Sequence, residues 1–498
     1  MSKFSFLWLL VIAGMAFSQT ANVAITGHVT GPNGIPLTNT LVRMGVGLLY
    51  TTTDSTGYYS LGGPVNTILP AGTQLGTAFS RPSLVAGRVL FSLPQSDAQI
   101  RMSMYDLSGR FIKDIMDGRL AKGNYAVSVD TRNMSSQFYL LRLTINGVSH
   151  VMKLSSVTRS GAGSVAQSAS SAEARLEKLA AVMDTLHATE PGYSLGITPI
   201  QALTGTYDFS LTKTSTWNGD TAGFWGDTAK FSAAAKAAGH LVFAIINRTR
   251  IYADSEIWWA NGDGGVPVRL SDQPIITAPG NGRTYIMVGY NAKASTPYRP
   301  MNQVWDWEEH NTGATSYNGN LTRVDYYGAP LVMRLHSTDG TADLIRGEPY
   351  HMFFQTRQSV FDEYMNEVPW MWDSCAIVDA PWKIVNPCSV PAFETGGSQA
   401  HYWDAYEKQC NVTAGACVGI NDPKISSGLF RHVLDLPDAQ QKDWNNQYKK
   451  APCSFYAYFI HRRAFGHWQY AFPYDDYNNW SSFVYSGKAQ WLLMAVGY

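Results

Sequence analysis

Two carboxylic acids stand out in residues 305–331, WDWEEHNTGATSYNGNLTRVDYYGAPL, because aromatic side chains surround both of them. Glu309 follows a run in which tryptophans alternate with acids, and Asp325 lies next to two tyrosines. Alternate residues of a strand share a face, which places Glu309 with the tryptophans and Glu308 on the opposite face. If the two stretches form a hairpin centred near residue 317, Glu309 and Asp325 come together on one face.

A protonated carboxyl and a carboxylate between aromatic walls are the groups that glycoside hydrolysis requires. One group donates a proton to the leaving oxygen, and the other activates water or attacks the sugar. An apolar wall and a neighbouring negative charge raise the pKa of the acid, and flat aromatic faces suit sugar rings. The alternative interpretation is a solvated acid and a structural ion pair with Arg323. A β-bulge would also exchange the roles of Glu308 and Glu309.

The elements that position these acids are predicted to be mainly β strands. Charged residues make up only 15% of the 498 residues, while turn-forming and aromatic residues are plentiful. This balance is typical of β structure with many turns rather than of helical bundles. The 38 basic and 38 acidic residues cancel, so the composition carries no electrostatic footprint for nucleic acid.

Tryptophan content marks the clearest domain boundary, since fourteen of the fifteen tryptophans lie at or after Trp217. Two β modules with strand and turn signals precede this aromatic-rich domain. The first module resembles a carboxypeptidase-regulatory-like β-sandwich and the second a small sorting-type sandwich, and both are predicted to be non-catalytic. The predicted boundaries are 1–18 for a signal peptide, 22–80 and 81–154 for the modules, 155–216 for a linker and bridging segment, and 217–498 for the large domain.

Helical periodicity is limited to two places. In EARLEKLAAVMDTL, apolar residues recur at helical spacing from Leu176 to Leu186, which predicts a short bridging helix. A second helix is predicted between Asp438 and Gly466, and Pro452 divides it into two pieces. The runs HLVFAIINRT, NGRTYIMVGYN and SFVYSGKAQWLLMAVGY are predicted strands.

The amino-terminal residues predict export. Lys3 precedes the apolar run Phe4–Phe17, and Ala16-Phe17-Ser18 offers small residues at the cleavage-recognition positions. This pattern predicts a secretory signal that is removed near Gln19, and the alternative is a membrane anchor. We therefore expect a bacterial extracellular protein, either free or associated with the cell surface.

All five cysteines lie in the last quarter of the chain. In an exported protein this distribution predicts one or two disulfides. Cys410 and Cys417 are close enough in sequence to close a small loop, and the pairing of the others stays open because the count is odd. A zinc site is not expected, since no C-x-x-C pair occurs.

Three motifs in the large domain resemble glycoside hydrolase family 64, the β-1,3-glucanases of thaumatin-like architecture. TRVDYYGAPLVMRL is similar to the VD-aromatic-G-x-P-L strand of that family, and WDWEEHN stands where the family has a W-D-aromatic-x-E strand. The segment from YAYFIHRRAF through YAFPYDD to LLMAVG resembles its HR…YAFPYDD motif and closing strand. The resemblance runs from about residue 238 to 498. It implies a mainly β fold, a thaumatin-like β-sandwich or barrel whose smaller α/β part forms a wide cleft.

The resemblance implies an inverting mechanism with Glu309 as general acid and Asp325 as general base. Inversion requires the two carboxyls to lie roughly 6.5–9.5 Å apart, with water between base and sugar. A directly opposed cross-strand pair would lie nearer, at about 5 Å. Asn320 and Thr322 match polar positions just before the base and are expected to bind sugar hydroxyls.

The resemblance also places the YDD motif in the cleft as a substrate-binding element, with Tyr474, Asp475 and Asp476. The alternative for the two aspartates is calcium binding or a turn. His461 and Arg462 match the HR pair of the family, for which we expect a structural role.

The sequence leaves open which aromatic residues near the two acids contact the substrate. Trp305 and Trp307 are either stacking platforms or core residues. The loop between the acids lacks the tryptophan that the family has there and offers Tyr317 instead, which affects one sugar subsite. Residues 362–388 have no counterpart in the family pattern, and they would change the cleft and the length of the products.

The predicted function is a secreted endo-β-1,3-glucanase that cuts laminarin or curdlan and releases laminari-oligosaccharides. The main alternative is a non-catalytic, thaumatin-like glucan-binding protein or adhesin, which would bind laminarin without releasing reducing ends. A third interpretation is hydrolysis of another β-glucan, such as lichenan or cellulose. We expect β-1,3-glucan as the partner and a monomeric chain, with no nucleic acid, metal, cofactor or, after removal of the signal, membrane involved.

Overall fold

The computed structural model describes residues 20–44, 49–66, 82–85, 88–93, 97–105, 110–121, 123–128, 138–146, 148–155, 175–178, 184–200, 202–213, 221–277, 279–300, 302–376, 383–413 and 422–498. The predicted signal peptide and residues 156–174 of the predicted linker and bridging segment lie outside these residues.

Strands dominate the described part of the chain. The strands are β1 Thr20–Thr30, β2 Leu41–Met44, β3 Tyr50–Thr52, β4 Tyr58–Asn66, β5 Ser83–Val85, β6 Arg88–Leu93, β7 Ala98–Tyr105, β8 Phe111–Leu120, β9 Gly123–Ser128, β10 Phe138–Ile145, β11 Val148–Ser155, β12 Arg175–Lys178, β13 Asp184–Thr189, β14 Gly196–Ile200, β15 Thr204–Thr206, β16 Phe209–Ser210, β17 Val242–Asn247, β18 Ile257–Asn261, β19 Val268–Arg269, β20 Ile275–Ile276, β21 Gly282–Val288, β22 Val304–Thr312, β23 Tyr317–Leu321, β24 Tyr326–Tyr327, β25 Leu331–Ser337, β26 Asp343–Gly347, β27 Ile384–Val385, β28 Val484–Ser486 and β29 Ala489–Val496.

Helices are short and lie mainly in the carboxyl-terminal half. The α-helices are α1 Thr221–Trp225, α2 Ala229–Ala238, α3 Arg357–Glu367, α4 Asp404–Cys410, α5 Pro423–Arg431, α6 Asp438–Gln441 and α7 Phe455–Arg462. Single 3₁₀ turns occupy Pro32–Gly34, Asp254–Glu256, Tyr350–Phe354, Trp370–Cys375, Pro387–Ser389, Trp444–Asn446, Phe465–His467 and Asp475–Asn478. The prediction of a mainly β protein is confirmed.

The chain folds into two compact units, each assembled from more than one stretch of sequence. The first contains Met1–His28, Tyr58–Leu186 and Ile197–Asp208, and the second contains Val29–Gly57, His187–Gly196 and Phe209–Tyr498. Two early segments therefore belong to the same unit as the predicted catalytic acids. The linear domain boundaries stay predictions.

Two four-stranded sheets enclose a core in the first unit. Their strand orders are β11-β10-β7-β8 and β12-β9-β6-β5. Apolar residues from both sheets share this core, and β7 shows why, since its first positions alternate between buried and exposed. Such alternation is the signature of a strand with one buried face.

The second unit is built on a five-stranded and a six-stranded sheet. The five-stranded order is β20-β17-β29-β25-β26, in which β17 and β29 run parallel. Nearly every residue of β29, AQWLLMAV, is buried, because alternate side chains enter two different apolar clusters. A continuous apolar run is what a strand covered on both faces requires.

The six-stranded sheet carries the predicted site. Its order is β19-β18-β21-β22-β23-β28, and its neighbouring strands are antiparallel. Along β23, buried positions alternate with partly exposed ones. One face of this region therefore packs into the core, and the other is open to a ligand.

The predicted bridging helix is wrong. Arg175–Lys178 and Asp184–Thr189 are strands, and the first pairs with β9 so that Leu176 lies opposite Val127. Ladder hydrogen bonds to a neighbouring strand outweigh a helical spacing of only a few turns, since isolated short helices are marginal.

The carboxyl-terminal helix is confirmed as two pieces, Asp438–Gln441 and Phe455–Arg462. Ser454 caps the second piece, because its side chain accepts a hydrogen bond from Ala457 N. In the part of the chain that the structure describes, no helix is long and apolar enough to span a bilayer.

The predicted disulfides are not formed by the described cysteines, since Cys375, Cys388, Cys410 and Cys453 are free thiols. Burial raises the pKa of Cys453 to about 12. A thiol at such a site behaves as a small apolar side chain. Cys417 lies outside the described residues.

Candidate active site

The strands that carry the predicted acid and its neighbours form a tighter hairpin than the sequence indicated. Glu309 on β22 lies opposite Asn320 on β23, and residues 313–316 form the turn. The predicted centre near residue 317 is wrong because Tyr317 is the first residue of β23. Its buried hydroxyl donates a hydrogen bond to Glu308, which holds the ring in the core.

Glu309 lies on the partly exposed face of the sheet with three polar neighbours. Arg283, directly opposite on β21, brings its Nε to 2.6 Å from one carboxylate oxygen. The Thr322 hydroxyl lies 2.9 Å from the other oxygen and 2.6 Å from Oδ1 of Asn320. Charge-assisted bonds of this kind are shorter and stronger than neutral ones, so Arg283 and Thr322 fix the position of the Glu309 carboxylate.

Asp325 lies beyond the end of β23, in the segment that leads into β24. Its backbone carbonyl accepts a hydrogen bond from Asn386 N at 2.8 Å, and the residue is exposed. Loss of hydration around its carboxyl raises the pKa of Asp325, and the negative charge of Glu309 raises it further, whereas Arg283 lowers it. The two acids therefore act on each other within one site, although they are not cross-strand partners.

Asp306 connects the two sequence motifs that carry the acids. Its buried carboxylate pairs with the Arg323 guanidinium and accepts from Gly328 N at 3.1 Å and Ala329 N at 3.2 Å. A Cβ at Gly328 would lie 2.3 Å from a backbone oxygen of β22, so only glycine fits. Arg323 is thus engaged in the core by Asp306, and not by Asp325 as the alternative interpretation proposed.

Glu308, Trp305 and Trp307, which precede Glu309 on β22, are core residues. Glu308 is fully buried, and one of its oxygens lies 2.9 Å from Nδ1 of His310. Trp305 and Trp307 are only 8% and 2% exposed, and their rings pack against each other. Glu308 is therefore no rival for the catalytic role, and the two tryptophans do not offer their faces to a sugar.

Asp475 does not reach the cleft. It is fully buried, pairs with Arg431, lies 3.0 Å from Nε2 of His461, and accepts a hydrogen bond from Ala471 N at 2.6 Å. The predicted contact of Asp475 with sugar is therefore wrong, because its oxygens are occupied within the fold. The basic partner Arg431 also argues against calcium at this carboxylate.

Tyr470 connects the rest of the YDD motif to the segment that carries the two predicted acids. Tyr470 pairs with Thr322, and its hydroxyl lies 3.3 Å from the exposed Asp476. This contact brings Asp476 toward the side of the molecule that holds Asp325. Substrate binding by Tyr474 and Asp476 stays a prediction.

Sequence reasoning missed Arg283, the residue that contacts Glu309 most closely. The available signal was a charged residue inside the apolar strand motif NGRTYIMV. Its exposed neighbour Asp263 also pairs with Arg299 at 3.0 Å. These contacts join residues that are distant in sequence and thus leave no local pattern.

One segment of the chain is similar to a known protein family. Residues 418–496 match the sequence profile of Glyco_hydro_64, described as β-1,3-glucanase. This segment is similar to family 64, which confirms the predicted resemblance over these residues. No curated protein matches the chain significantly.

Several solved structures of family 64 proteins are similar to the chain. One is the laminaripentaose-producing β-1,3-glucanase of Paenibacillus barengoltzii complexed with laminarihexaose, with 18% identity, a TM-score of 0.47, and coverage of 84% of this chain and 99% of that chain. Another is the β-1,3-glucanase domain from Clostridium beijerinckii, with 19% identity, a TM-score of 0.45, and coverage of 52% and 99%.

Proposed function

We propose that the second unit is an endo-acting β-1,3-glucanase that hydrolyses laminarin- or curdlan-type glucan and releases laminari-oligosaccharides. The observation that carries this proposal is the cluster of Glu309, Arg283 and Thr322 on the partly exposed face of the sheet, with the exposed Asp325 near enough for the charge of Glu309 to raise its pKa. The family 64 match at residues 418–496 supports the β-1,3 linkage.

In the proposed mechanism, Glu309 is the general acid and Asp325 the general base. Asp325 takes a proton from a water molecule, whose oxygen attacks the anomeric carbon from the face opposite the leaving group. Glu309 gives its proton to the glycosidic oxygen as the carbon–oxygen bond breaks. The raised pKa of Asp325 makes its carboxylate a stronger base than a fully hydrated aspartate.

One contact opposes this division of roles in the free protein. Nε of Arg283 donates a hydrogen bond to one carboxylate oxygen of Glu309 at 2.6 Å, whereas a general acid must offer a proton to the glycosidic oxygen. The assignment therefore requires that a bound sugar weaken the contact between Arg283 and Glu309. Because Arg283 is itself partly exposed, with 41% of its side chain accessible, it has room to move.

Replacing Arg283 with methionine tests which acid has which role. Arg283 lowers the pKa of Asp325, so loss of the guanidinium raises it. If Asp325 is the general base, the acidic limb of the kcat/KM–pH profile shifts upward. A shift of the basic limb alone would reverse the two roles. Arg299→Met is the matched control, since Arg299 pairs with Asp263.

A comparison of polysaccharides tests the linkage specificity. We expect the full-length protein to release reducing ends from laminarin and curdlan at least tenfold faster than from lichenan or cellulose. Faster release from lichenan or cellulose would assign the site to another β-glucan. Retention on a laminarin affinity gel without release of reducing ends would favour the glucan-binding protein.

We also propose that the protein is exported, which the amino-terminal pattern around Lys3 and the cleavage-site residues supports. The mass of the protein recovered from culture medium tests this proposal. A new amino terminus near Gln19 is expected, and an intact amino terminus in the cell fraction would contradict export.

A further inference from the structure

The outward face of the six-stranded sheet continues past the catalytic pair onto its edge strand. β28 pairs with β23 so that Tyr485 lies opposite Asn318 and Val484 opposite Gly319. On the other side of β23, Asn318 lies opposite Asn311 of β22. Asn311, Asn318 and Tyr485 therefore form one row across three strands, next to the row that contains Glu309 and Asn320.

Burial identifies this row as the open face. Val484 and Ser486 are buried, whereas Tyr485 and Phe483 are 59% and 47% exposed. Because directly opposed residues of a sheet share a face, Tyr485 points to the same side as Asn318, and Phe483 directly precedes β28, two residues before Tyr485. Among the described residues of the second unit, the exposed large aromatic side chains all lie between Tyr477 and Tyr485.

The aromatic residues that the sequence suggested for sugar stacking are not free to stack. Trp305, Trp307 and Tyr317 are buried, and Tyr317 is committed to Glu308 through its hydroxyl. An aromatic platform for a sugar chain on this face must therefore come from a neighbouring strand. Phe483 and Tyr485 meet this need, because their rings are exposed and the amides of Asn311 and Asn318 lie in the adjoining positions.

We infer that Phe483 and Tyr485 form an aromatic subsite that binds glucosyl residues of the β-1,3-glucan chain on one side of the catalytic pair. This inference rests on the proposed function and names a further binding element of the same site. Two strand spacings and two residues of strand separate the Cα atoms of Tyr485 and Glu309 by roughly 12 Å. A chain bound at Glu309 thus reaches Tyr485 only when it extends several sugar residues along the sheet.

Aromatic rings and amides have complementary tasks at such a subsite. The apolar face of a pyranose ring stacks on an aromatic ring, while its equatorial hydroxyls hydrogen-bond to side-chain amides. The rim position of Tyr485, on the edge strand, also leaves its hydroxyl in water. The subsite therefore contributes to the binding of long chains and not to bond cleavage itself.

The test compares Tyr485→Ala and Phe483→Ala with the parent protein, all as full-length chains. Calorimetry gives the Kd for laminarihexaose, and initial rates give kcat and KM for laminarin. We expect each variant to raise Kd and KM about tenfold, with kcat nearly unchanged. Tyr485→Trp should restore or tighten binding. Phe111→Ala, at a 51%-exposed phenylalanine on β8, is the matched control and should leave all constants unchanged.

The outcomes separate this inference from the proposed function. If the parent protein hydrolyses laminarin and both alanine variants keep its Kd and KM, the subsite would be overturned and the proposed glucanase activity would be supported. If the parent protein binds laminarihexaose without hydrolysing laminarin, and Tyr485→Ala abolishes this binding, the results would support the subsite and overturn the glucanase. A parent that neither binds nor cleaves laminarin would overturn both.

Discussion

Replacing Glu309 with glutamine is expected to lower kcat for laminarin hydrolysis about a thousandfold, and Asp325→Asn is expected to do the same. Glutamine keeps the size of the side chain, and its oxygen can accept from Arg283 while its amide donates to the Thr322 hydroxyl, but it has no acidic proton to give. Asparagine at position 325 is too weak a base to activate water. KM should change little, because both substitutions act on the transition state.

The control for these variants is Glu394→Gln, which removes an exposed carboxylate elsewhere in the same unit. It should keep the parent kcat. Steady-state release of reducing ends gives kcat, and circular dichroism establishes that each variant is folded. A folded Glu309→Gln or Asp325→Asn protein with more than a tenth of the parent kcat would contradict the assigned pair.

Replacing Asp306 with alanine is expected to lower the free energy of unfolding by about 3–5 kcal/mol. The change leaves the Arg323 guanidinium buried without its main partner, since the next carboxylate, Glu348, lies 3.4 Å away. It also removes the acceptor of Gly328 N and Ala329 N. The segment that follows Asp325 would lose two of its hydrogen bonds to β22.

The matched control is Asp343→Ala, which breaks a surface pair with Arg334 at 2.7 Å and should cost about 1 kcal/mol or less. Urea unfolding gives both values. A second comparison isolates the cost of leaving the Arg323 charge unpaired. The double variant Asp306→Leu, Arg323→Met should recover much of the lost stability, because it removes both buried charges together. A loss in Asp306→Ala no larger than in Asp343→Ala would show that this network does not hold the fold.

Alternation of side chains predicted the most useful feature of the site from sequence. Glu309 faces outward and Glu308 inward, since burial alternates in the second half of β22, where Glu308 and His310 are buried and Glu309 is not. The same reasoning failed for the position of Asp325. The position of Asp325 depends on the register of the β22–β23 hairpin. In this hairpin Tyr317 is buried at the start of β23, where its hydroxyl donates a hydrogen bond to Glu308.

Other features have no local signal in the sequence. The ion pair of Asp306 with Arg323 spans 17 residues, and Arg283 lies 26 residues from Glu309. Such contacts depend on how strands align, which periodicity does not report. Asp475 carried a motif that suggested the cleft, yet its neighbours Arg431 and His461 draw it into the core.

The most direct test of inverting hydrolysis at Glu309 and Asp325 is ¹H NMR of laminarihexaose during cleavage by the full-length protein. We predict that α-anomeric signals of the new reducing ends arise first and mutarotate later, and that Glu309→Gln yields no such signal. Initial β-anomeric products would contradict inversion. A protein that binds laminarihexaose but forms no product would make this face a glucan-binding surface and not an active site.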